Sequence, residues 1–148
     1  MQAYNFGSRD AKDSFLELAE RIILSSTALT TVEMGYLYLS AAQTEKIFAA
    51  LNASPSLSIL EKVTLLEFVD LTSEDTCISM VEFIAEATNL TEFNIEHNIG
   101  RKIDLEVTCT SEDGQPGIVK LTDKETKEVI SRDTDRTKEC ELILGDNW

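Results

Sequence analysis

The sequence predicts a mixed α/β fold: a short stack of three helix–strand units with parallel strands, closed by a small antiparallel β segment. Three observations lead there. A hexad recurs at near-constant spacing, an apolar helical motif precedes each copy, and two-residue alternation takes over after Arg101-Lys102.

The hexads are Leu29-Thr30-Thr31-Val32-Glu33-Met34, Leu60-Glu61-Lys62-Val63-Thr64-Leu65 and Leu90-Thr91-Glu92-Phe93-Asn94-Ile95. Each reads LxxΦxΦ, with Φ a large apolar residue, and successive copies lie 31 and then 30 residues apart. A fixed internal period is the signature of a repeat architecture, in which each unit is one supersecondary element. The helical motifs are Phe15-Leu16-Glu17-Leu18-Ala19, Ile47-Phe48-Ala49-Ala50-Leu51 and Met80-Val81-Glu82-Phe83-Ile84. That ΦΦxΦΦ spacing gathers apolar groups onto one helical stripe. Ser8 and Asp10, Ser40, and Ser73-Glu74-Asp75 supply helix-start signals ahead of the three motifs.

The distance from helical motif to hexad shrinks along the chain, from 14 to 13 to 10 residues, while the hexad spacing holds. Strands that stack in register impose such constancy, and the surface connectors absorb the difference. A single unit cannot bury its apolar face, so the next unit must close it, and both ends need covering. The expected organisation is a helix–strand stack over residues 1–102, with its repeats in 10–98. A β-rich cap follows over 103–148, and the two together form one structural domain. Within the cap, Ile103-Asp104-Leu105-Glu106-Val107-Thr108-Cys109 alternates as a half-buried strand. Segment 111–117 reads as a turn, and Ile118-Val119-Lys120-Leu121 returns. Val129-Ile130 and segment 139–144 are further strand candidates.

The pattern resembles the leucine-rich-repeat family, in particular its ribonuclease-inhibitor-like branch, over residues 10–98. The third unit is the fullest match, because Asn98 stands eight residues after Leu90, where the family carries its Asn. The other units hold Leu37 and Phe68 there, which cannot make the side-chain-to-backbone bonds of an Asn ladder. The resemblance implies a short solenoid that binds proteins through its concave strand face. Carried onto this sequence, the outward positions are Thr31, Glu33 and Tyr36 from the first unit. The second contributes Lys62, Thr64, Leu66 and Glu67, and the third Glu92, Asn94, Glu96 and His97. Such a face would dock a basic partner, with Tyr36 and Leu66 as apolar anchors among acids.

Composition narrows the function classes. The 148 residues carry a formal net charge of −14, with 43% hydrophobic and 27% charged residues. The acid excess falls on both sides of Lys102, as expected of a chain that repels nucleic acid and anionic membrane and attracts basic protein surfaces. No apolar run reaches the roughly 18 residues of a membrane span. The segment from Met1 to Gly7 lacks the basic and apolar regions of a secretory signal, so a cytoplasmic setting is expected. Cys77, Cys109 and Cys140 form no metal-ligand spacing, and reduced thiols are expected. One histidine, no phosphate-binding glycine loop and no HExxH motif give no catalytic constellation. The expected function is non-enzymatic protein binding, without metal or cofactor, through the sheet face or the β cap. The alternatives are an acidic inhibitor of a basic, nucleic-acid-facing enzyme site, or a subunit of a larger assembly.

Overall fold

The computed structural model describes residues 2–4, 9–35, 38–66, 69–108 and 118–129. Elements alternate through β1 (Gln2–Tyr4), α1 (Arg9–Ser25), β2 (Thr31–Gly35), α2 (Ala41–Ala53), β3 (Lys62–Leu66), α3 (Glu74–Glu86) and β4 (Glu92–Glu96). Two strands follow without an intervening helix, β5 (Ile103–Thr108) and β6 (Ile118–Asp123). All six strands form one sheet in the order of the chain. The fold is mixed α/β, and the sheet does not close into a barrel, since β1 and β6 lie at its two ends.

β1 to β4 pair in parallel, and β5 and β6 continue the sheet antiparallel. Each parallel crossover steps one strand in the same direction. Crossovers of the usual right hand therefore lay all three helices on one face. The helices pack side by side there, α1 on α2 and α2 on α3. The opposite face carries no helix among the described residues.

The register follows the sequence period. Val32 pairs with Val63 and Val63 with Phe93, while Met34 pairs with Leu65 and Leu65 with Ile95. All six side chains are fully buried under the helices. At the strand entrances one hydrogen-bond pattern recurs a unit apart. The Thr30 carbonyl accepts from the amides of Glu61 (2.8 Å) and Lys62 (3.1 Å), and the Glu61 carbonyl from those of Thr91 (2.8 Å) and Glu92 (3.1 Å).

The helices bury the expected stripe. Ile47, Phe48, Ala50 and Leu51 of α2 and Met80, Phe83 and Ile84 of α3 are buried, with Ala19 and Ile23 from α1. Leu18 departs from the motif and is 53% exposed, because α1 stands at the end of the row of described helices, packed beside α2. Phe48, Phe83 and Phe93 meet at the centre, with ring centroids 5.9–6.5 Å apart. Ser40 caps α2 as expected. Its hydroxyl accepts from the Gln43 amide (3.2 Å), and the Gln43 side chain accepts from the Ser40 amide (3.0 Å), a reciprocal capping box. Ser73 precedes α3 without a side-chain cap bond, and Glu74 and Asp75 occupy the first turn, where carboxylates complement the helix dipole.

The C-terminal strands extend the sheet instead of packing across its end. Ile95 opposes Leu105 and Phe93 opposes Val107, which carries the buried row onto β5, and Leu105 opposes Leu121 on β6. Val129 makes a single bridge to Thr122. After β6, Asp123 Oδ1 accepts from the amides of Glu125 (2.8 Å) and Thr126 (3.0 Å). Those amide bonds hold its carboxyl below the usual range. No helix among the described residues is long and apolar enough to cross a membrane.

Candidate interaction face on the open side of the sheet

Strand alternation decides which side chains stand on the face opposite the helices. The residues between the buried positions are Thr31 and Glu33 on β2, Lys62, Thr64 and Leu66 on β3, and Glu92, Asn94 and Glu96 on β4. Eight of the eleven positions expected at the interface are thus brought together on one surface. The register aligns them in cross-strand rows. Thr31, Lys62 and Glu92 form one, Glu33, Thr64 and Asn94 the next, and Gly35, Leu66 and Glu96 the third. Tyr36 and Glu67 lie outside the described residues. His97 follows the end of β4 with a left-handed φ of 54°, exposed, and its amide donates to Asp104 Oδ1 at 2.9 Å. It therefore belongs to the turn into β5 and not to the rows.

The face is wider than the repeat alone implies. Because β5 pairs with β4, Glu106 opposes Asn94 and Thr108 opposes Glu92. On β6, Lys120 opposes Glu106 and Thr122 opposes Asp104. The central row thus runs Glu33, Thr64, Asn94, Glu106, Lys120 across five strands. The alternation over residues 103–109 shows that Asp104, Glu106 and Thr108 share a side. It puts that side toward solvent but does not say which sheet the strand joins, so these residues were not among the expected interface positions.

Charge on this surface is unbalanced. Five carboxylates (Glu33, Glu92, Glu96, Asp104 and Glu106) stand with two lysines, Lys62 and Lys120. Lys62 Nζ meets Glu92 Oε2 at 3.2 Å, with both side chains close to half exposed. Such a pair is worth about 0–1 kcal/mol and is readily exchanged for another partner. Asp104 is committed to the structure. It lies 3.8 Å from Lys124 and is 14% exposed, and Lys124 Nζ also donates to the Asn98 carbonyl. Burial pulls the Lys124 ammonium below its usual range, against the opposing pull of Asp104.

Thr64 occupies the middle of the central row. It is 7% exposed, and its hydroxyl oxygen is buried without a hydrogen-bond partner. Lys62 and Leu66 precede and follow it on the same face of β3.

The segment after β4 is built by close packing. Asn98, the residue that matches the family's Asn, is buried, and its Nδ2 donates to the Ile103 carbonyl at 2.8 Å. Leu37 and Phe68 lie outside the described residues. Arg101 is 6% exposed, and its Nη2 donates to Cys77 Sγ at 3.4 Å. Burial pushes the Cys77 thiol up, opposed by the Arg101 hydrogen bond and charge, so the sulfur is held as a thiol on the buried side of α3. Cys109 and Cys140 lie outside the described residues. Among the described residues, no group of three or more His, Cys, Asp or Glu side chains is placed to hold a metal ion.

On the helix side, Asp13, Leu16, Glu17 and Glu20 of α1 and Gln43, Lys46 and Ile47 of α2 line a shallow groove of about 260 Å³. Gln43 Nε2 donates to Asp13 Oδ1 at 3.4 Å, and Lys46 lies 3.9 Å from Glu20, so its polar groups largely serve one another.

No protein-family model, curated protein or solved structure matches the chain.

Proposed function

We propose that this chain is a leucine-rich-repeat-like binding module, without catalytic activity, that docks a basic surface of a protein partner on the open face of its sheet. The observation that carries this reading is a sheet face with no helix among the described residues and with five carboxylates against two lysines. Complementary charge speeds encounter with a basic partner and disfavours acidic ones. Leu66 adds an apolar contact within the same surface. We assign the module to the cytoplasm, a compartment that keeps a free thiol such as Cys77 reduced.

The charge distribution also favours a narrower version, an acidic inhibitor that covers the nucleic-acid-facing site of a basic enzyme. The partner's own activity separates the two, because only the inhibitor abolishes it on binding.

The experiment is affinity capture from the native cell with the full chain, set beside a variant carrying Glu33→Lys, Glu92→Lys, Glu96→Lys and Glu106→Lys together. Partners enriched by the native chain should be lost with the variant and released by moderate salt, since exposed charges are screened beyond a Debye length of about 10 Å at 0.1 M. A partner set retained in full by a folded quadruple variant would remove the open face as the docking surface.

A further inference from the structure

We propose that Tyr38 and Ile99 are the apolar anchors of the docking surface, and that the partner carries an apolar side chain among its basic residues to pack against them. This inference rests on the open face being the docking surface, and it extends that surface past the ends of its strands.

β2, β3 and β4 run parallel and end at one edge of the sheet. The segments leaving that edge bury Leu39, Val69 and Leu71, each at most 2% exposed. Tyr38, after β2, is 63% exposed, and Ile99, after β4, is 51% exposed. Leu66, half-buried, ends the strand between them. One exposed apolar side chain is ordinary on a protein surface, and Leu18, Leu24 and Ile78 stand so on the helices. Two further observations set Tyr38 and Ile99 apart.

The first is backbone strain. Tyr38 has a φ of 51°, in the left-handed region that bulky side chains rarely occupy. Residues held in such conformations cluster at functional sites. The second is fixed placement. The Ile99 amide donates to the Val69 carbonyl (2.9 Å), and the Ile99 carbonyl accepts from the Leu71 amide (2.8 Å). Asp70, which Ile99 bridges, donates its amide to Thr44 Oγ1 on α2 at 3.2 Å. Lys12 Nζ donates to the Tyr38 carbonyl at 3.5 Å. Side chains presented on a backbone already bonded in place lose less freedom on binding.

Charge identifies the occupant. Glu96 is exposed at the end of β4, three residues before Ile99, and Asp70 sets a second carboxylate beside Ile99. Apolar anchors rimmed by acids match a segment in which lysine or arginine flanks an apolar residue. An acidic segment is repelled, and a basic segment without apolar side chains leaves Tyr38 and Ile99 wet.

The test uses the full chain and two blocked probe peptides. One alternates lysine with glycine, and the other has its two central glycines replaced by leucine. Binding is followed by calorimetry and by NMR at the Ile99 methyl groups. The leucine peptide should bind the native chain roughly tenfold more tightly and shift the Ile99 resonances saturably. Tyr38→Asn suits the left-handed backbone and removes the ring, so its urea midpoint should be unchanged or higher. Ile99→Thr keeps the branched shape in the loop. The double variant should bind both peptides as the native chain binds the glycine peptide. If the leucine peptide keeps its full advantage on the folded double variant, while the quadruple glutamate-to-lysine variant binds neither peptide, the anchors are wrong and the docking face stands. Equal binding of the two peptides by the native chain also overturns the anchors. A native chain that binds neither peptide counts against both readings.

Discussion

Replacing Phe93 with alanine should cost about 3–5 kcal/mol of folding stability, the range measured for truncating a fully buried aromatic side chain. Phe93 is fully buried on β4 and contacts two partners from the helix layer. Its ring centroid lies 5.9 Å from that of Phe83 and 6.4 Å from that of Phe48. One substitution thus removes two tilted aromatic pairs, each worth about 0.5–1.5 kcal/mol beyond area burial. It also leaves a void where α2, α3 and the sheet converge, a site that cannot collapse without moving a helix. Set against the roughly 5–15 kcal/mol of a typical domain, the loss would consume a large share of total stability. Urea unfolding followed by circular dichroism measures it, through a lower midpoint at similar slope. Leu18→Ala on the exposed flank of α1 is the control and should shift stability by no more than about 0.5 kcal/mol.

Gly100→Ala should be the second most damaging single change, at roughly 2–4 kcal/mol from backbone strain and overpacking together. Gly100 has φ +95°, a conformation that L side chains rarely adopt. An added Cβ would lie 2.6 Å from Thr72 Cγ2 and 2.9 Å from the Thr72 backbone nitrogen. The close approach exists because Ile99 bridges Asp70, with the Leu71 amide donating to the Ile99 carbonyl (2.8 Å) and the Ile99 amide to the Val69 carbonyl (2.9 Å). The loop after β4 is thereby stitched to the loop after β3. Adding Thr72→Ser to Gly100→Ala removes the methyl group and keeps the hydroxyl that bonds Asp70. The double variant should recover only part of the loss, because the backbone contact and the positive φ remain. Full recovery in urea unfolding would mean that the Thr72 methyl alone accounts for the cost.

Much of this fold is legible in the residues because the repeat constrains them twice. The fourth and sixth hexad positions must face the helices and must also stack on their counterparts. Val32, Val63 and Phe93, with Met34, Leu65 and Ile95, satisfy both conditions. The ΦΦxΦΦ motifs locate α2 and α3 for the same reason. β1 escaped notice because three residues, Gln2-Ala3-Tyr4, carry no hexad and no alternation long enough to count. Their pairing is supplied by β2, which offers its edge in register from Gln2 opposite Glu33 to Tyr4 opposite Gly35. The C-terminal strands were visible as strands, but their place was not. Alternation fixes which residues share a face, whereas only the pairing of β4 with β5 shows that the sheet continues instead of being capped.

The candidate site divides along the same line. Thr31, Glu33, Lys62, Thr64, Leu66, Glu92, Asn94 and Glu96 share a face because parity along each strand requires it. Asp104, Glu106, Thr108, Lys120 and Thr122 join them through tertiary pairing that no local pattern encodes. The depth of Thr64 was also illegible, since threonine fits exposed and buried strand positions equally well. Arg101 marked the end of the helical pattern in the sequence. Its burial against Cys77 depends on β4 turning back toward the start of α3, a contact with no signature along the chain.

The proposed docking face is tested most directly by carbodiimide footprinting of the carboxylates, free and in complex with a captured partner, resolved by peptide mass spectrometry. Protection confined to Glu33, Glu92, Glu96 and Glu106, with Glu17, Glu82 and Glu86 on the helices labelled as in the free chain, is the predicted outcome. Protection of the helix carboxylates, with the sheet face labelled at its free rate, would contradict the assignment.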